Sequence, residues 1–117
     1  MPKDCNPLYP MIFGGALWSR MDMAAHTCTM RLLHHSKCNQ AVTYKSNVTF
    51  HAAAECGDIV FIYCTVTQLR RKGIGIKVEV QREKSGEPGC LKVAEAEFVF
   101  CSKKDGKFIH HELKLDN

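Results

Sequence analysis

The sequence predicts an α+β domain in which one long helix packs on an antiparallel sheet. Apolar side chains recur at every third or fourth position early in the chain, which is the spacing of one buried helix face; they are Leu17, Met21, Ala24, Ala25, Cys28 and Leu32. Four later segments alternate polar and apolar residues or are apolar without a break, as strands are. Short turns join these segments, so we expect neighbouring antiparallel strands.

Each element follows from its own pattern. The helix is expected from about residue 14 to residue 33, and the strands over 42–51, 59–66, 74–81 and 91–101. The run 59–66 is apolar throughout, so we expect a central strand that is covered on both faces. The last strand is expected to direct Ala94, Ala96, Phe98 and Phe100 to one face. Basic and Asp-Gly turns are expected near residues 70–73 and 103–107, and a short polar tail ends the chain.

Composition narrows the class of protein. The 117 residues are expected to form a single domain, residues 1–117, with a modest core. The chain has no apolar run long enough to cross a bilayer, and residues 1–7 hold no signal-peptide core, so we expect a cytoplasmic protein without a membrane partner. The net charge of +4 suits an anionic small ligand. Because no pattern of interleaved aromatic and basic residues is present, we expect no nucleic-acid partner.

Cysteine and histidine spacing argues against disulfides and metal sites. The seven cysteines are odd in number and include no Cys-x-x-Cys pair. His34-His35 and His110-His111 are adjacent pairs, which cannot share one helix face. We therefore expect no metal ion, and cysteines that are reduced.

The start of the helix carries the candidate chemistry. Gly14 and Gly15 open the helical pattern, where unpaired backbone N–H groups and a partial positive charge suit a phosphate or a developing oxyanion. Asp22 lies beside the apolar line, on the flank that Trp18 and His26 share. From the residues alone, a tight helix entry and a solvated carboxylate explain this pattern better than a catalytic site does.

The order and spacing of several motifs resemble the hotdog-fold acyl-CoA thioesterases, in particular the small acyl-CoA hydrolase branch. The resemblance covers roughly residues 11–107. It is carried by Phe13-Gly14-Gly15, Met21-Asp22, Val48-Thr49-Phe50, Gly57-Asp58, Arg71-Lys72-Gly73, the strand from Ala94 to Phe100, and Asp105-Gly106-Lys107.

The resemblance implies a long central helix wrapped by a curved antiparallel sheet. Two subunits would join their sheets edge to edge, with further assembly into tetramers or hexamers, and the active sites would lie at the dimer interface. Open sheet edges independently favour an oligomer. In this family the aspartate that matches Asp22 activates water or attacks the thioester carbonyl, and the N–H groups that match Gly14 and Gly15 polarise that carbonyl. No cofactor is implied, since CoA is part of the substrate and the product.

The resemblance also implies residues that bind CoA. The candidates are Asn6, Phe13, Arg70, Arg71, Lys72, Gly73, Lys103 and Lys104. Plain surface solubility explains the basic clusters equally well. The chain departs from the family pattern where Pro10 replaces a glycine of the loop after Asn6, and where Lys72-Gly73 replaces a Thr-Ser pair. The lead-in is too short for a full first strand, so that strand is expected to be short or missing.

Two other functions remain open on the sequence. A hotdog hydratase or dehydratase that acts on acyl thioesters would use a carboxylate and a histidine for proton transfer at carbon, and Asp22 and His26 lie four residues apart on the helix. The altered loop before Phe13 also allows an acyl-CoA-binding protein without catalysis.

Overall fold

The structure, a computed structural model, describes residues 14–34, 36–52, 54, 57–83, 86 and 89–113. Within these ranges the chain forms one helix, α1 (Gly14–Leu33), and the strands β1 (Gln40–Phe50), β2 (Ile59–Leu69), β3 (Gly73–Glu83), β4 (Leu91–Lys104) and β5 (Lys107–Phe108). The predicted helix and the four long strands are confirmed. Residues 1–13, where a short or missing first strand is expected, lie outside the described residues, as do the candidates Asn6 and Phe13.

The strands form one antiparallel sheet in the order β1-β4-β3-β2, and β5 pairs with the end of β4. β3 and β4 are the inner strands and supply most of the core. Their side chains that face α1 are buried, and they pair across the two strands: Ile74, Ile76, Val78 and Val80 on β3, and Ala94, Ala96, Phe98 and Phe100 on β4. The predicted face of the last strand is therefore confirmed.

Helix α1 covers this inner face of the sheet. Leu17, Met21 and Ala25 are buried against the strands, as the spacing predicts. Thr29 continues the same line and is fully buried, because its hydroxyl donates to the carbonyl of Ala25 (2.9 Å) and so leaves no unpaired polar atom. Across the described residues, no helix combines the length and apolar character that a membrane crossing needs.

The expectation that the 59–66 run forms a central strand covered on both faces is wrong. β2 is the last strand of the described sheet, and none of residues 59–69 is fully buried. Val60, Ile62, Cys64 and Val66 pack against the core, whereas Ile59 and Tyr63 remain half exposed. An unbroken apolar run specifies apolar residues on both faces of a strand, but the order of strands in the sheet decides what covers them.

The expectation that a polar tail follows the last turn is also wrong. Asp105 and Gly106 both have positive φ (51° and 82°) and form the two-residue turn that joins β4 to β5. Beyond β5, Ile109 and Leu113 pack against the core and His111 is only 1% exposed. Residues 109–113 are therefore part of the folded domain; this stretch is called the C-terminal segment below.

Candidate functional site

Asp22 lies on the flank of α1 that runs along β1. Trp18, Asp22 and His26 are spaced by four residues, and each contacts β1 through a hydrogen bond. The Trp18 indole donates to the Ser46 hydroxyl (3.3 Å), the Thr43 hydroxyl donates to Asp22 Oδ1 (2.9 Å), and His26 Nε2 lies 3.2 Å from the carbonyl oxygen of Ala41. The predicted shared flank is confirmed, and the Thr43 hydroxyl fixes one carboxylate oxygen of Asp22.

A β-bulge in β1 makes these contacts possible. The register changes between Thr43 and Lys45, so that Thr43 pairs with Phe100 and Ser46 pairs with Phe98. Both hydroxyls therefore face α1 although they are three residues apart, and the strict two-residue alternation expected for this strand is wrong. Thr43 was not predicted as the partner of Asp22, because the periodicity of a strand does not reveal a bulge.

Gly14 and Gly15 form the first turn of α1, as predicted, and this turn contains no acidic residue. A helix start without an acidic side chain in its first turn suits a negatively charged ligand atom, because the helix dipole is not offset there. Asp22 follows Gly15 by seven residues, which places it about 10 Å further along the helix axis. A single reacting carbon cannot lie within bonding reach of both, so one chain alone does not join the two halves of the predicted site.

Part of the basic turn lines a cavity on the opposite face of the sheet. Val99 and Cys101 alternate with the buried Phe98 and Phe100 and therefore point away from α1. The cavity has a volume of about 290 Å³ and is lined by Tyr44, Lys45, Gln68, Arg70, Lys72, Gly73, Gly75, Val99 and Cys101. It combines three cationic side chains with two glycines and contains no carboxylate among its lining residues, which suits an anion.

The predicted CoA-binding residues do not all lie in one place in the structure. Arg70, Lys72 and Gly73 line this basic cavity, whereas Arg71 does not. Lys103 lines a separate hollow near His26 and lies 4.9 Å over the ring of Phe108, and Lys104 is exposed at the end of β4. Lys45 lines the cavity and was missed, because a lysine in a strand gives no sequence signal beyond an outward direction.

A second hollow on the outer face is less suited to an anion. It measures about 280 Å³ and is lined by Asn47, Thr49, Lys77, Glu95, Ala96 and Glu97. Lys92 Nζ lies 2.6 Å from Glu95 Oε2, and this hydrogen bond, with a second from His51, holds the pKa of the Glu95 carboxyl below its usual range. Glu95 is therefore already paired with cations beside the hollow, and the two glutamates of its lining would repel a phosphate.

The groove between α1 and β2 contains two thiols. Cys28 and Cys64 are both among its lining residues, and its volume is about 650 Å³. Burial, and to a smaller degree the neighbouring Cys28, raises the pKa of the Cys64 thiol, which disfavours the reactive thiolate. In the part of the chain that the structure describes, no three His, Cys, Asp or Glu side chains group as metal ligands would.

The chain belongs to the Thioesterase superfamily, whose family model matches residues 9–88. This match spans α1 and the strands β1 to β3, including Gly14, Gly15, Asp22 and the basic turn.

Individual relatives agree with this family. An uncharacterized acyl-CoA thioester hydrolase of Zymomonas mobilis, ZMO0511, is 29% identical over 100 residues, which cover 86% of this chain and 64% of that protein. The chain therefore spans less than two thirds of the length of this curated relative.

Two solved structures share the fold. The hexameric thioesterase y2039 from Yersinia pestis superposes with a TM-score of 0.84 at 27% identity, and the match covers 97% of this chain and 90% of that one. Cj0915, a hexameric hotdog fold thioesterase of Campylobacter jejuni, gives a TM-score of 0.80 at 29% identity over 96% of this chain and 84% of that one. The α+β arrangement of one helix against a curved antiparallel sheet is therefore the hotdog fold.

The two glycines of the basic cavity should respond differently to an added methyl group. A Cβ at Gly75 would lie 3.0 Å from Thr67 Oγ1 and 3.3 Å from Gln68 Cβ, whereas a Cβ at Gly73 would meet only ordinary contacts from 3.8 Å. We expect Gly75→Ala to lower the free energy of unfolding by about 1–2 kcal/mol. Gly73→Ala, the matched control, should change it by less than about 0.5 kcal/mol. Urea unfolding at one protein concentration measures both, and equal effects would contradict the cavity geometry.

Proposed function

We propose that this protein hydrolyses the thioester bond of acyl-CoA and releases a free fatty acid and CoA. The observation that carries the proposal is the position of Asp22 on the β1 flank of α1, with one oxygen fixed by Thr43, in a chain of the Thioesterase superfamily. The Zymomonas mobilis relative, which is named an acyl-CoA thioester hydrolase, supports the substrate class. Hydrolysis of a thioester consumes only water, so the proposal includes no cofactor.

In the proposed mechanism, Asp22 acts on the thioester carbonyl either through a water molecule or directly. As a base, its free oxygen accepts a proton from water while that water attacks the carbonyl carbon. As a nucleophile, the same oxygen attacks the carbonyl carbon, the C–S bond breaks, and the CoA thiolate leaves and takes up a proton from water; a second water molecule then cleaves the resulting acyl–aspartyl anhydride to the free acid and Asp22. On either route the carbonyl oxygen gains negative charge, which the N–H groups of Gly14 and Gly15 stabilise from the start of a helix.

The helix geometry supports an active site made from two copies of the chain. Because Gly15 and Asp22 of one chain lie about 10 Å apart along α1, the site would pair Asp22 of one subunit with the helix start of its partner. Among the described strands, β1 forms the sheet edge that lies beside Asp22; it has 11 residues, contains no proline, and is mostly exposed. We therefore propose a homodimer that forms along β1. The hexameric assembly of the two solved relatives supports further association of such dimers.

The basic cavity is the proposed binding site for the phosphates of CoA. Lys45, Arg70 and Lys72 supply positive charge, and Gly73 and Gly75 leave space for a ligand. The cavity and Asp22 lie on opposite faces of the sheet of one chain. A substrate that touches both either passes around β1 or takes one of the two sites from a neighbouring copy.

The free thiols support the expected cytoplasmic location, which remains part of the proposal. Of the described cysteines, Cys28, Cys38, Cys64, Cys90 and Cys101 are all unpaired. Reduced cysteines in this number are typical of a reducing compartment.

The alternative functions have weaker support. A hydratase needs His26 free for proton transfer at carbon, but His26 Nε2 contacts the carbonyl of Ala41. Free-thiol release from acyl-CoA supports hydrolysis, water addition to an enoyl-CoA supports a hydratase, and CoA binding without turnover supports a non-catalytic protein.

Replacing Asp22 tests the proposed chemistry. Asp22→Asn keeps an oxygen that can accept the Thr43 hydroxyl but removes the negative charge and the basicity. We expect kcat for acyl-CoA hydrolysis to fall about 100-fold or more, the scale of losing a general base. Asp105→Asn in the β4–β5 turn is the matched control, since asparagine tolerates the left-handed conformation there. If Asp22→Asn retains most of kcat with an intact fold and oligomer, Asp22 does not carry the reaction.

Charge reversal in the basic cavity tests the phosphate site. We expect Arg70→Glu and Lys72→Glu each to raise KM for acyl-CoA by roughly fivefold or more at low salt, because a repulsive contact replaces an attractive one. The effect should shrink as added salt screens the charges. Lys107→Glu on β5 is the control for net charge and should leave KM unchanged. Equal KM values for all three variants would exclude the cavity.

A further inference from the structure

The C-terminal segment holds the basic turn through its backbone. The carbonyl of Arg71 accepts a hydrogen bond from the backbone N–H of His111 (3.0 Å), and the carbonyl of Gly73 lies 3.2 Å from His111 Nε2. Between them, the carbonyl of Lys72 accepts from the backbone N–H of Ser102 (2.9 Å). Three consecutive carbonyls of the turn are therefore directed into the protein.

The His111 ring has one hydrogen-bonding arrangement in this site. The backbone N–H of Leu113 donates to Nδ1 (2.9 Å), so Nδ1 carries no proton. The ring proton is therefore on Nε2, which donates to the carbonyl of Gly73. Because the side chain is almost completely buried, both ring nitrogens use their hydrogen-bonding capacity inside the protein.

The C-terminal segment is itself fixed at His111 and at Ile109, two residues before it. The Ser36 hydroxyl, just beyond the end of α1, donates to the carbonyl of His111 (2.7 Å). The Ser102 hydroxyl of β4 donates to the carbonyl of Ile109 (2.6 Å). His111 thus links the basic turn to β4 and to the residues that follow α1, and the backbone of the C-terminal segment cannot shift without breaking these contacts.

This arrangement has an electrostatic consequence for the basic cavity. A peptide carbonyl is the negative end of a dipole and would repel a phosphate that approached the turn. Directing these carbonyls inward leaves the side chains of Arg70 and Lys72 as the charged groups that the turn presents to the cavity. Fixing the backbone on both sides of Lys72 also reduces the conformational freedom that ligand binding would otherwise have to remove.

We propose that His111 is a positioning residue that holds the basic turn in the conformation that binds the phosphates of CoA. The proposal rests on the proposed function and adds the C-terminal segment to it. His111 contacts neither the thioester nor the phosphates; it acts through the backbone of Arg71 and Gly73.

Two substrates separate positioning from general stability. His111→Phe fills the ring volume without nitrogens, and His111→Gln restores a donor near the position of Nε2. Each variant is assayed with an acyl-CoA and with the matching acyl-N-acetylcysteamine thioester, which lacks the nucleotide and its phosphates. We expect His111→Phe to raise KM for acyl-CoA about fivefold, the scale of losing a well-placed ion pair, while kcat stays unchanged. The N-acetylcysteamine ester should be cleaved at the same rate as by the original protein. His111→Gln should restore part of the affinity for acyl-CoA, and the control variant Lys107→Glu should leave both substrates unaffected.

Several results would overturn the positioning role. An unchanged KM for acyl-CoA in His111→Phe contradicts it, and so does an equal loss with both substrates, which indicates a structural role only. If His111→Phe does not fold, Ser36→Ala loosens the same segment and should raise KM for acyl-CoA selectively; an unchanged KM then overturns the proposal. If the original protein cleaves neither ester, the proposed function is wrong, but the positioning role can still be tested. The dissociation constant of CoA, measured by calorimetry, must then rise in His111→Phe.

Discussion

Asp22 follows Gly15 by seven positions in α1, and the fixed rise of a helix holds the first N–H groups and the carboxylate about 10 Å apart along the axis. No side-chain rearrangement within one chain changes this separation. If both groups act on one thioester, the second group comes from another copy of the chain. In that case the requirement for two chains follows from the helix itself, and the proposed partner approaches along β1, which is an edge of the described sheet and lies beside Asp22.

The strand β1 contacts α1 on one face and lines the basic cavity on the other, in a combination that a strand without a bulge could not make. Its bulge directs both Thr43 and Ser46 toward α1, which fixes Asp22 and Trp18, and Lys45 on the other face lines the basic cavity. The residues around the bulge therefore contact both halves of the proposed substrate site. The basic turn lies at the end of the sheet that is distant from the helix start. There, His111 and Ser102 hold the turn through hydrogen bonds to its backbone carbonyls.

Sequence patterns alone predicted α1, β3 and the buried face of β4, because burial on one side leaves a period of 3.6 or 2 residues. They did not reveal the bulge at Thr43–Lys45, the edge position of β2 or the packing of the C-terminal segment, since these depend on register, strand order and tertiary contacts. Asp22, Gly14 and Gly15 were candidates from their positions near a helix start, but only the family resemblance favoured a catalytic role, since their local patterns are also those of an ordinary helix. Lys45 and His111 required the structure, because each acts through its position relative to residues distant in sequence.

Mixing two inactive variants tests the two-chain site most directly. Asp22→Asn removes the carboxylate, and Gly15→Pro removes one N–H donor at a position in the first helical turn where proline is tolerated. After the two proteins are dissociated, mixed in equal amounts and reassembled, half of the dimers are mixed, and each mixed dimer contains one site with both groups intact. If each site is shared by two chains, the mixture should recover about one quarter of the original activity. If the mixture stays as inactive as its components although mixed dimers form, Asp22 and the helix start act within a single chain or not together at all.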